Sequence, residues 1–252
     1  MNILIPLVGL GKRFSDKGFE LPKPLIKVRG KSILQHSIDS LQLEGNYFFV
    51  VRKYDNPEHN MMLKKVIKES KKDAVIIETS EMTRGSAESA LLAEKYINNS
   101  KSLIITNCDQ YVRWKQDQLN EFVCLLENKD IDGCVTTYNH IPQQNLKIGE
   151  TTPFSFVELD KNQLAINFSE KKCISRHMLN GIHYWKKGSD FVFSAKKNIE
   201  QNIRYNNEFY ISLTYNQLIL KNKKIKTFHM SDGSFYSLGT PEDVELFEQE
   251  IK

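Results

Sequence analysis

The stretch ILIPLVGLGKRF, residues 3–14, decides how the first half of the chain folds. Residues 3–8 form an apolar run with the length and composition of a buried β-strand. The segment Gly9-Leu10-Gly11 follows, and glycines let backbone N–H groups approach phosphate oxygens. Lys12 and Arg13 add positive charge that suits a polyphosphate. The stretch predicts a strand and a phosphate-binding loop, although G-x-G on its own more often marks an ordinary strand-end turn.

A second motif, LPKPLI at residues 21–26, favours the prediction that the glycine loop binds phosphate. Prolines on both sides of Lys23 restrict the backbone and hold that side chain in a defined direction. The glycine loop is not a Walker A loop, because no Gly-Lys-Ser/Thr closes it. It is not a dinucleotide fingerprint either, because Phe14 occupies the place of the third glycine.

Short apolar runs alternate with helical patterns through residues 1–138. This alternation predicts a parallel sheet with helices on both faces, and such sheets bind ligands beyond the carboxyl ends of their strands. The predicted strands are residues 3–8, 48–51, 74–77, 103–105 and 132–138, and the predicted helices are residues 32–43, 60–69 and 87–97.

The pattern becomes more antiparallel after residue 138. Strands are predicted at 155–159, 164–168, 181–185 and 226–230, helices at 190–202 and 209–221, and a last helix after Thr240 as N-cap, with Pro241 and Asp243 in its first turn. No internal repeat or linker is visible. We therefore expect one Rossmann-like α/β domain over residues 1–252, with a mostly parallel central sheet and an antiparallel C-terminal elaboration. Residues 1–138 would form its nucleotide-binding half and residues 139–252 its acceptor-binding half.

The composition excludes several classes of protein. The 252 residues carry a net charge of only +4 from 35 basic and 31 acidic side chains, without the basic stripe of a nucleic-acid binder. Four cysteines without CxxC spacing indicate reduced thiols. No segment has the length of a membrane span, and the apolar start is too short for a signal peptide. We expect a cytoplasmic protein that binds neither nucleic acid nor membrane.

The glycine loop and the P-K-P-L segment together resemble the signature of the sugar-phosphate nucleotidyltransferases, in particular the members found in capsule loci. The resemblance covers nearly the whole chain, and it implies a GT-A-like fold, an NTP and a phosphorylated small molecule as ligands, and Mg²⁺ as cofactor. Homo-oligomers are compatible with it. Further matching segments are residues 83–87 (TRGSA), 107–109 (NCD), 168–172 (FSEKK, for the family's E-K-P), 180–182 (NGI) and 238–243 (LGTPED).

The resemblance also implies roles for individual residues. It places the nucleotide on Leu7, Gly9, Gly11, Lys12, Arg13, Lys23, Gly85, Ser86 and Asn107, the acceptor on Ser155, Glu170, Lys171 and Asn180, and Mg²⁺ on Asp109. Arg13, Lys23 and Lys171 are the expected catalytic cations. Without that context, residues 83–87 would suggest a packed helix entry, Asp109 a turn former and residues 170–172 a charged turn.

The chain departs from the family pattern at three places. Ser237 stands where many members carry a second metal-binding Asp, and Asp232 is the nearest carboxylate that could substitute. Lys172 replaces the proline of E-K-P. Phe154-Ser155 lies where members specific for sugars carry Tyr-Gly, which suggests an acceptor pocket reshaped from the usual hexose site.

The base and the acceptor are less strongly indicated than the reaction. The loop and the short chain look more like the cytidylyltransferase-type members, so CTP is the favoured nucleotide, with phosphoglutamine as a candidate acceptor. A thymidylyl- or cytidylyltransferase acting on a sugar 1-phosphate is the alternative within the family. A glycosyltransferase of the same fold or a non-catalytic nucleotide-binding protein are alternatives from other classes. Asn107-Cys108-Asp109 lacks the Asp-x-Asp that such glycosyltransferases usually carry.

Overall fold

The computed structural model describes residues 1–139 and 146–251. Its strands are β1 (Asn2–Leu7), β2 (Lys27–Val28), β3 (Lys31–Ser32), β4 (Asn46–Arg52), β5 (Val75–Thr79), β6 (Leu103–Thr106), β7 (Gln110–Val112), β8 (Gly133–Tyr138), β9 (Thr151–Leu159), β10 (Ala165–Lys172), β11 (His177–Trp185), β12 (Ile225–His229) and β13 (Phe235–Ser237). Its helices are α1 (Lys12–Ser15), α2 (Ile33–Leu41), α3 (Pro57–Ser70), α4 (Ser86–Leu91), α5 (Glu94–Ile97), α6 (Gln116–Leu126), α7 (Gly188–Glu200), α8 (Ile211–Ile219) and α9 (Pro241–Glu250).

One large sheet organises these elements. Strands β5, β4, β1 and β6 pair in that order and are all parallel. β11 then pairs antiparallel with β6, β8 and β9, while β10 closes one edge beside β9 and β12 lies parallel to β8. The predicted α/β fold, with a mostly parallel central sheet and an antiparallel C-terminal elaboration, is confirmed.

The apolar run of β1 explains why this sheet carries helices on both faces. Ile3 and Ile5 pack on one side with residues of α2, α3 and α6. Leu4 packs on the other side with residues of α4, α7 and α8. All three side chains are fully buried. Successive side chains of a strand point to opposite faces, so a run that is apolar at every position requires cover on both.

Several predicted elements have different limits in the structure. The helix predicted at 87–97 is divided into α4 and α5. The strand predicted to end at residue 168 continues to Lys172, so the charged residues 170–172 lie in β10 and not in a turn. The helix predicted to begin at Phe209 begins at Ile211, because the backbone of Phe209 is paired elsewhere: its N–H donates to the carbonyl of Arg84 at 2.6 Å.

The C-terminal segment packs against the residue that ends the glycine-loop motif. Phe14, which ends the opening motif, is buried in a cluster with Val244 and Phe247 of α9 and with Leu238. The predicted start of α9 is confirmed as a capping box between Thr240 and Asp243. This packing fixes the position of the loop relative to the last strand and helix. Among the described helices, none combines the length and apolarity needed to cross a bilayer.

Candidate functional site

A cleft of about 600 Å³ opens beyond the carboxyl ends of β1 and β6. It lies where the glycine loop faces the start of α4 and the segment that follows β6. The residues predicted to contact the nucleotide or the metal all line it: Leu7, Gly9, Gly11, Lys12, Arg13, Lys23, Gly85, Ser86, Asn107 and Asp109. The structure therefore brings these residues together from four separate segments of the chain.

The glycine loop is shaped by its contact with Lys23. Gly11 has φ 65°, in the left-handed region that favours glycine. A Cβ atom at this position would lie 3.1 Å from the Cβ of Lys23, so the absence of a side chain lets the two segments approach. The side chains of Lys12 and Arg13 are exposed and take part in none of the ion pairs among the described residues. Both charges are available to a ligand.

Lys23 forms an ion pair with Asp109 at the base of the cleft, and the two side chains are 17% and 25% exposed. Burial is the largest single effect and lowers the pKa of Lys23, but the charges of Asp109 and Cys108 and the hydrogen bond to Asp109 together outweigh burial and leave the pKa above its ordinary value. Lys23 is therefore a cation at neutral pH. The backbone carbonyl of Asp109 accepts a hydrogen bond from the N–H of Leu238 at 2.8 Å, which ties this carboxylate to the C-terminal segment.

Asn107 is held by a glycine on the neighbouring strand. Gly181 of β11 has φ 90°, and a Cβ atom there would collide with the side-chain amide of Asn107. The N–H of Asn107 donates to the carbonyl of Gly181 at 3.2 Å. The amide of Asn107 therefore reaches the cleft through space that only glycine leaves open at residue 181.

One wall of the cleft comes from two segments that are far apart in the sequence. Gly85 has φ 113°, and a Cβ atom there would lie 2.5 Å from the carbonyl oxygen of Phe209. The N–H of Ala87 donates to that carbonyl at 2.9 Å. This pairing places Glu208 and Tyr210 in the lining of the cleft. Neither residue was predicted as a site residue from the sequence, where they show only an acid and an aromatic residue at the start of a predicted helix.

The predicted acceptor residues lie outside the lining of this cleft, and three of them are close to one another. The carboxylate of Glu170 is 7% exposed, and its Oε2 accepts hydrogen bonds from the hydroxyls of Ser155 and Ser212, each at 2.6 Å. Burial raises the pKa of Glu170 more than these hydroxyls lower it. The ammonium of Lys171 lies 5.3 Å from the centre of the Tyr210 ring. Tyr210 thus lies both in the lining of the cleft and beside one of the predicted acceptor residues.

Asn180, the fourth predicted acceptor residue, has a different environment. It is 2% exposed, and its Oδ1 accepts hydrogen bonds from the hydroxyl of Thr136 and from the N–H of Ile182. Its buried Nδ2 has no hydrogen-bond partner among the described residues. These contacts bind Asn180 to β8 and to its own strand.

The carboxylate of Asp109, the predicted metal ligand, lines the cleft. The described residues contain no group of three or more histidines, cysteines or acids able to hold a metal ion by themselves. Asp232 is exposed, accepts a hydrogen bond from Asn139 at 3.3 Å and does not line the cleft. The hydroxyl of Ser237 donates to Asp243 at 2.8 Å. Mg²⁺ commonly takes one or two carboxylates together with phosphate oxygens and water. A single Asp109 beside a bound triphosphate fits that requirement.

Comparisons with known proteins agree with this fold. A family model described as "Nucleotidyl transferase" matches residues 4–250. A search of curated proteins finds no match. Among solved structures, a nucleoside-diphosphate-sugar pyrophosphorylase from Vibrio cholerae RC9 has a TM-score of 0.79 at 20% identity, covering 98% of this chain and 100% of that chain.

Two further solved structures resemble the chain over almost its whole length. A UDP-glucose pyrophosphorylase complexed with UDP-glucose has a TM-score of 0.72 at 15% identity, covering 98% of this chain and 97% of that one. The inositol-1-phosphate CTP transferase from T. maritima has a TM-score of 0.73 at 14% identity, covering 99% and 96% respectively. These identities are low, so the structural matches establish the fold, and the family model establishes membership. The chain belongs to the nucleotidyl transferase family.

Proposed function

We propose that this protein transfers a nucleoside monophosphate from an NTP, with CTP favoured, to the phosphate of a small phosphorylated acceptor and releases pyrophosphate. The observation that carries the proposal is the convergence of Lys12, Arg13, Lys23 and Asp109 on one cleft at the carboxyl end of the sheet. Three cations and one carboxylate suit a triphosphate with its metal ion. The cytoplasm, where NTPs are made, is the compartment we propose for the reaction.

The reaction requires charge neutralisation and alignment. An oxygen of the acceptor phosphate attacks the α-phosphorus in line, a new P–O bond forms, and the bond to the pyrophosphate breaks. The attacking group and the electrophile are both anionic, so fixed cations lower the barrier. We assign Lys12 and Arg13 to the β- and γ-phosphates and Lys23 to the α-phosphate. When bound beside Asp109, Mg²⁺ would neutralise charge on the triphosphate.

We expect Lys23 to exchange Asp109 for a phosphate when the nucleotide binds. In the structure its ammonium contacts Asp109, and burial of both side chains makes an unpaired charge costly. An α-phosphate offers Lys23 a replacement anion. A metal ion offers Asp109 a replacement cation. We infer that Lys23 would neutralise the α-phosphate and that Asp109, once released from Lys23, would hold the metal ion.

The acceptor is proposed to lie between the nucleotide cleft and the strand pair β9–β10. Lys171 would contact its phosphate, and Glu170, fixed by Ser155 and Ser212, would accept hydrogen bonds from its polar body. Phe156, next to Ser155 in β9, packs with Cys173 and Met178.

We propose the synthesis of a precursor of a capsule or other surface glycan as the context of the reaction, and phosphoglutamine as a candidate acceptor. A sugar 1-phosphate is the alternative.

A pyrophosphate-release assay with Mg²⁺ tests the proposal. The four common ribonucleoside triphosphates and dTTP are crossed with sugar 1-phosphates, phosphocholine, inositol 1-phosphate and phosphoglutamine. We expect release that depends on both substrates and that is fastest with CTP. Release with dTTP or UTP and a sugar 1-phosphate would support the alternative. Nucleotide binding without release from any pair would contradict the proposal and favour a binding protein. In a parallel incubation with nucleotide sugars in place of NTPs, consumption of a nucleotide sugar would favour a glycosyltransferase.

A further inference from the structure

Tyr210 occupies a position between the two parts of the proposed site. It lines the nucleotide cleft, and its ring lies beneath the ammonium of Lys171 at 5.3 Å from nitrogen to ring centre. Lys171 itself does not line the cleft. Tyr210 is therefore the side chain through which the proposed acceptor cation is connected to the nucleotide cleft.

The backbone around Tyr210 is held by contacts that leave it little freedom. The tight turn before it has Asn206 and Asn207 in the left-handed region, at φ 47° and φ 64°, and its ends are joined by two backbone hydrogen bonds between Tyr205 and Glu208, at 3.0 and 2.9 Å. Phe209 is 1% exposed and is bonded on both sides to the segment that starts α4. The place of Tyr210 is therefore set by the fold.

The environment of Lys171 leaves its charge available. It forms no ion pair within the described residues, although it follows Glu170 directly in the chain. The Oε2 of Glu170 is directed to Ser155 and Ser212. Lys171 has φ 56° at an irregularity in the pairing of β10 with β9. The face of an aromatic ring attracts a cation without cancelling its charge, whereas a carboxylate partner would cancel it.

We propose that Tyr210 is a positioning residue for the acceptor: its ring holds the ammonium of Lys171 at the edge of the nucleotide cleft, with its charge free to bind the acceptor phosphate. This inference rests on the proposed function. The Tyr210 hydroxyl donates to Glu208 and is not required for the effect. The ring is required, so Tyr210 determines how well the acceptor binds and leaves NTP binding unchanged.

Steady-state pyrophosphate release tests this role with four variants, Tyr210→Phe, Tyr210→Leu, Lys171→Met and the double variant Lys171→Met/Tyr210→Leu. We expect Tyr210→Leu to raise the KM for the acceptor about three- to tenfold, in the range of a cation–π contact, with little change in kcat or in the KM for NTP. Tyr210→Phe, which keeps the ring, should raise the KM for the acceptor less than Tyr210→Leu does. In the Lys171→Met background, loss of the ring should have no further effect. Lys172→Met, at the exposed neighbouring position, is the matched control for Lys171→Met.

A spectroscopic measurement separates this inference from the proposed function. Reductive ¹³C-methylation of the lysines gives one NMR signal per side chain, and the signal assigned through Lys171→Arg should carry a ring-current shift. The shift should vanish in Tyr210→Leu and persist in Tyr210→Phe. An inactive wild type with this shift present would overturn the proposed function alone.

Four results would overturn the inference itself. The first is an unchanged KM for the acceptor in a folded Tyr210→Leu protein, and the second is an equal defect in Tyr210→Phe and Tyr210→Leu. The third is a change confined to the KM for NTP, which is expected if the ring stacks on the base. The fourth is a Lys171 NMR signal that does not depend on the ring.

Discussion

At the scale of single residues, the ion pair between Lys23 and Asp109 is the feature with the most consequences. It joins two segments separated by 86 residues, and both side chains are mostly buried. Prolines beside Lys23 predicted a constrained lysine but not its partner. The contact leaves neither of these charges unpaired until a ligand replaces one of the partners. Substitution of Lys23 should therefore affect phosphate binding and metal binding in opposite directions.

Lys23→Met should lower kcat/KM for the NTP by roughly 30- to 1,000-fold, because a cation aimed at a reacting phosphoryl group contributes about 2–4 kcal/mol to the transition state. The measurement is pyrophosphate release with saturating acceptor. Lys27→Met, at an exposed position on β2, is the control and should retain activity. Equal rates for the two variants would remove Lys23 from the phosphate site.

The same variant should bind Mn²⁺ more tightly than wild type does when no nucleotide is present. Asp109 is then free of its ammonium partner, and loss of one charged hydrogen bond corresponds to roughly tenfold in affinity. Isothermal titration calorimetry of wild type, Lys23→Met and Lys27→Met measures the difference. If Mn²⁺ affinity is the same in all three proteins, the Lys23 contact does not compete with the metal at Asp109.

At the scale of elements, the pairing of the start of α4 with the residues that precede α8 builds the cleft wall. Local sequence predicted helices in both regions. The contact itself depends on Gly85, where a Cβ atom would lie 2.5 and 2.6 Å from the carbonyl oxygen and N–H nitrogen of Phe209. A helix pattern reports which face of an element is apolar, but it does not report which distant backbone the element will meet.

Gly85→Ala should destabilise the protein by roughly 2–6 kcal/mol, the sum of backbone strain and forced overpacking. Gly18→Ala is the matched control. Gly18 also has positive φ, at 84°, but nothing lies within 4 Å of a Cβ atom added there. The free energy of unfolding should therefore fall by only about 1–2 kcal/mol in this variant. Urea unfolding measures both. Equal losses would show that the close approach to Phe209 contributes nothing beyond strain.

At the scale of the whole molecule, the antiparallel half is held to the parallel half through β11, which pairs with β6 on one side and with β8 and β9 on the other. His183 lies in this strand, is 6% exposed, and has its ring centre 6.1 Å from that of Trp185 and 5.9 Å from that of Tyr215. Burial lowers the pKa of His183 to about 3. Protonation of this imidazole therefore opposes folding.

The global stability should fall as the pH is lowered. Between about 6.5 and about 3 the unfolded chain binds a proton at His183 that the folded protein excludes, so stability is full above pH 6.5 and declines below it. At pH 5 the loss from this residue is about 2 kcal/mol. His183→Phe should remove that part of the loss, measured as the difference in urea-unfolding free energy between pH 8 and pH 5. The same pH dependence in variant and wild type would contradict the assignment.

The sequence alone determined the features that depend on short stretches. The apolar run before the glycine loop specified a strand covered on both faces, alternation of runs specified the α/β class, and Thr240 with Asp243 specified the start of the last helix. These patterns act over a few residues, where backbone conformation and side-chain periodicity are local properties. Lys12, Arg13 and Lys23 could be predicted as phosphate ligands for the same reason, because each lies within a short motif.

Only the tertiary structure decided which of these residues meet. It paired Lys23 with Asp109 and placed Glu208 and Tyr210 in the cleft. It gave Asn180, a predicted acceptor residue, a partner on β8, and left Asp232 outside the lining of the cleft. Such contacts join positions far apart in the chain, and they depend on how closely two backbones can approach, as at Gly85 and Gly181. The free energy of that packing depends on contacts throughout the sheet, so the sequence of one segment does not determine which distant residues it will contact.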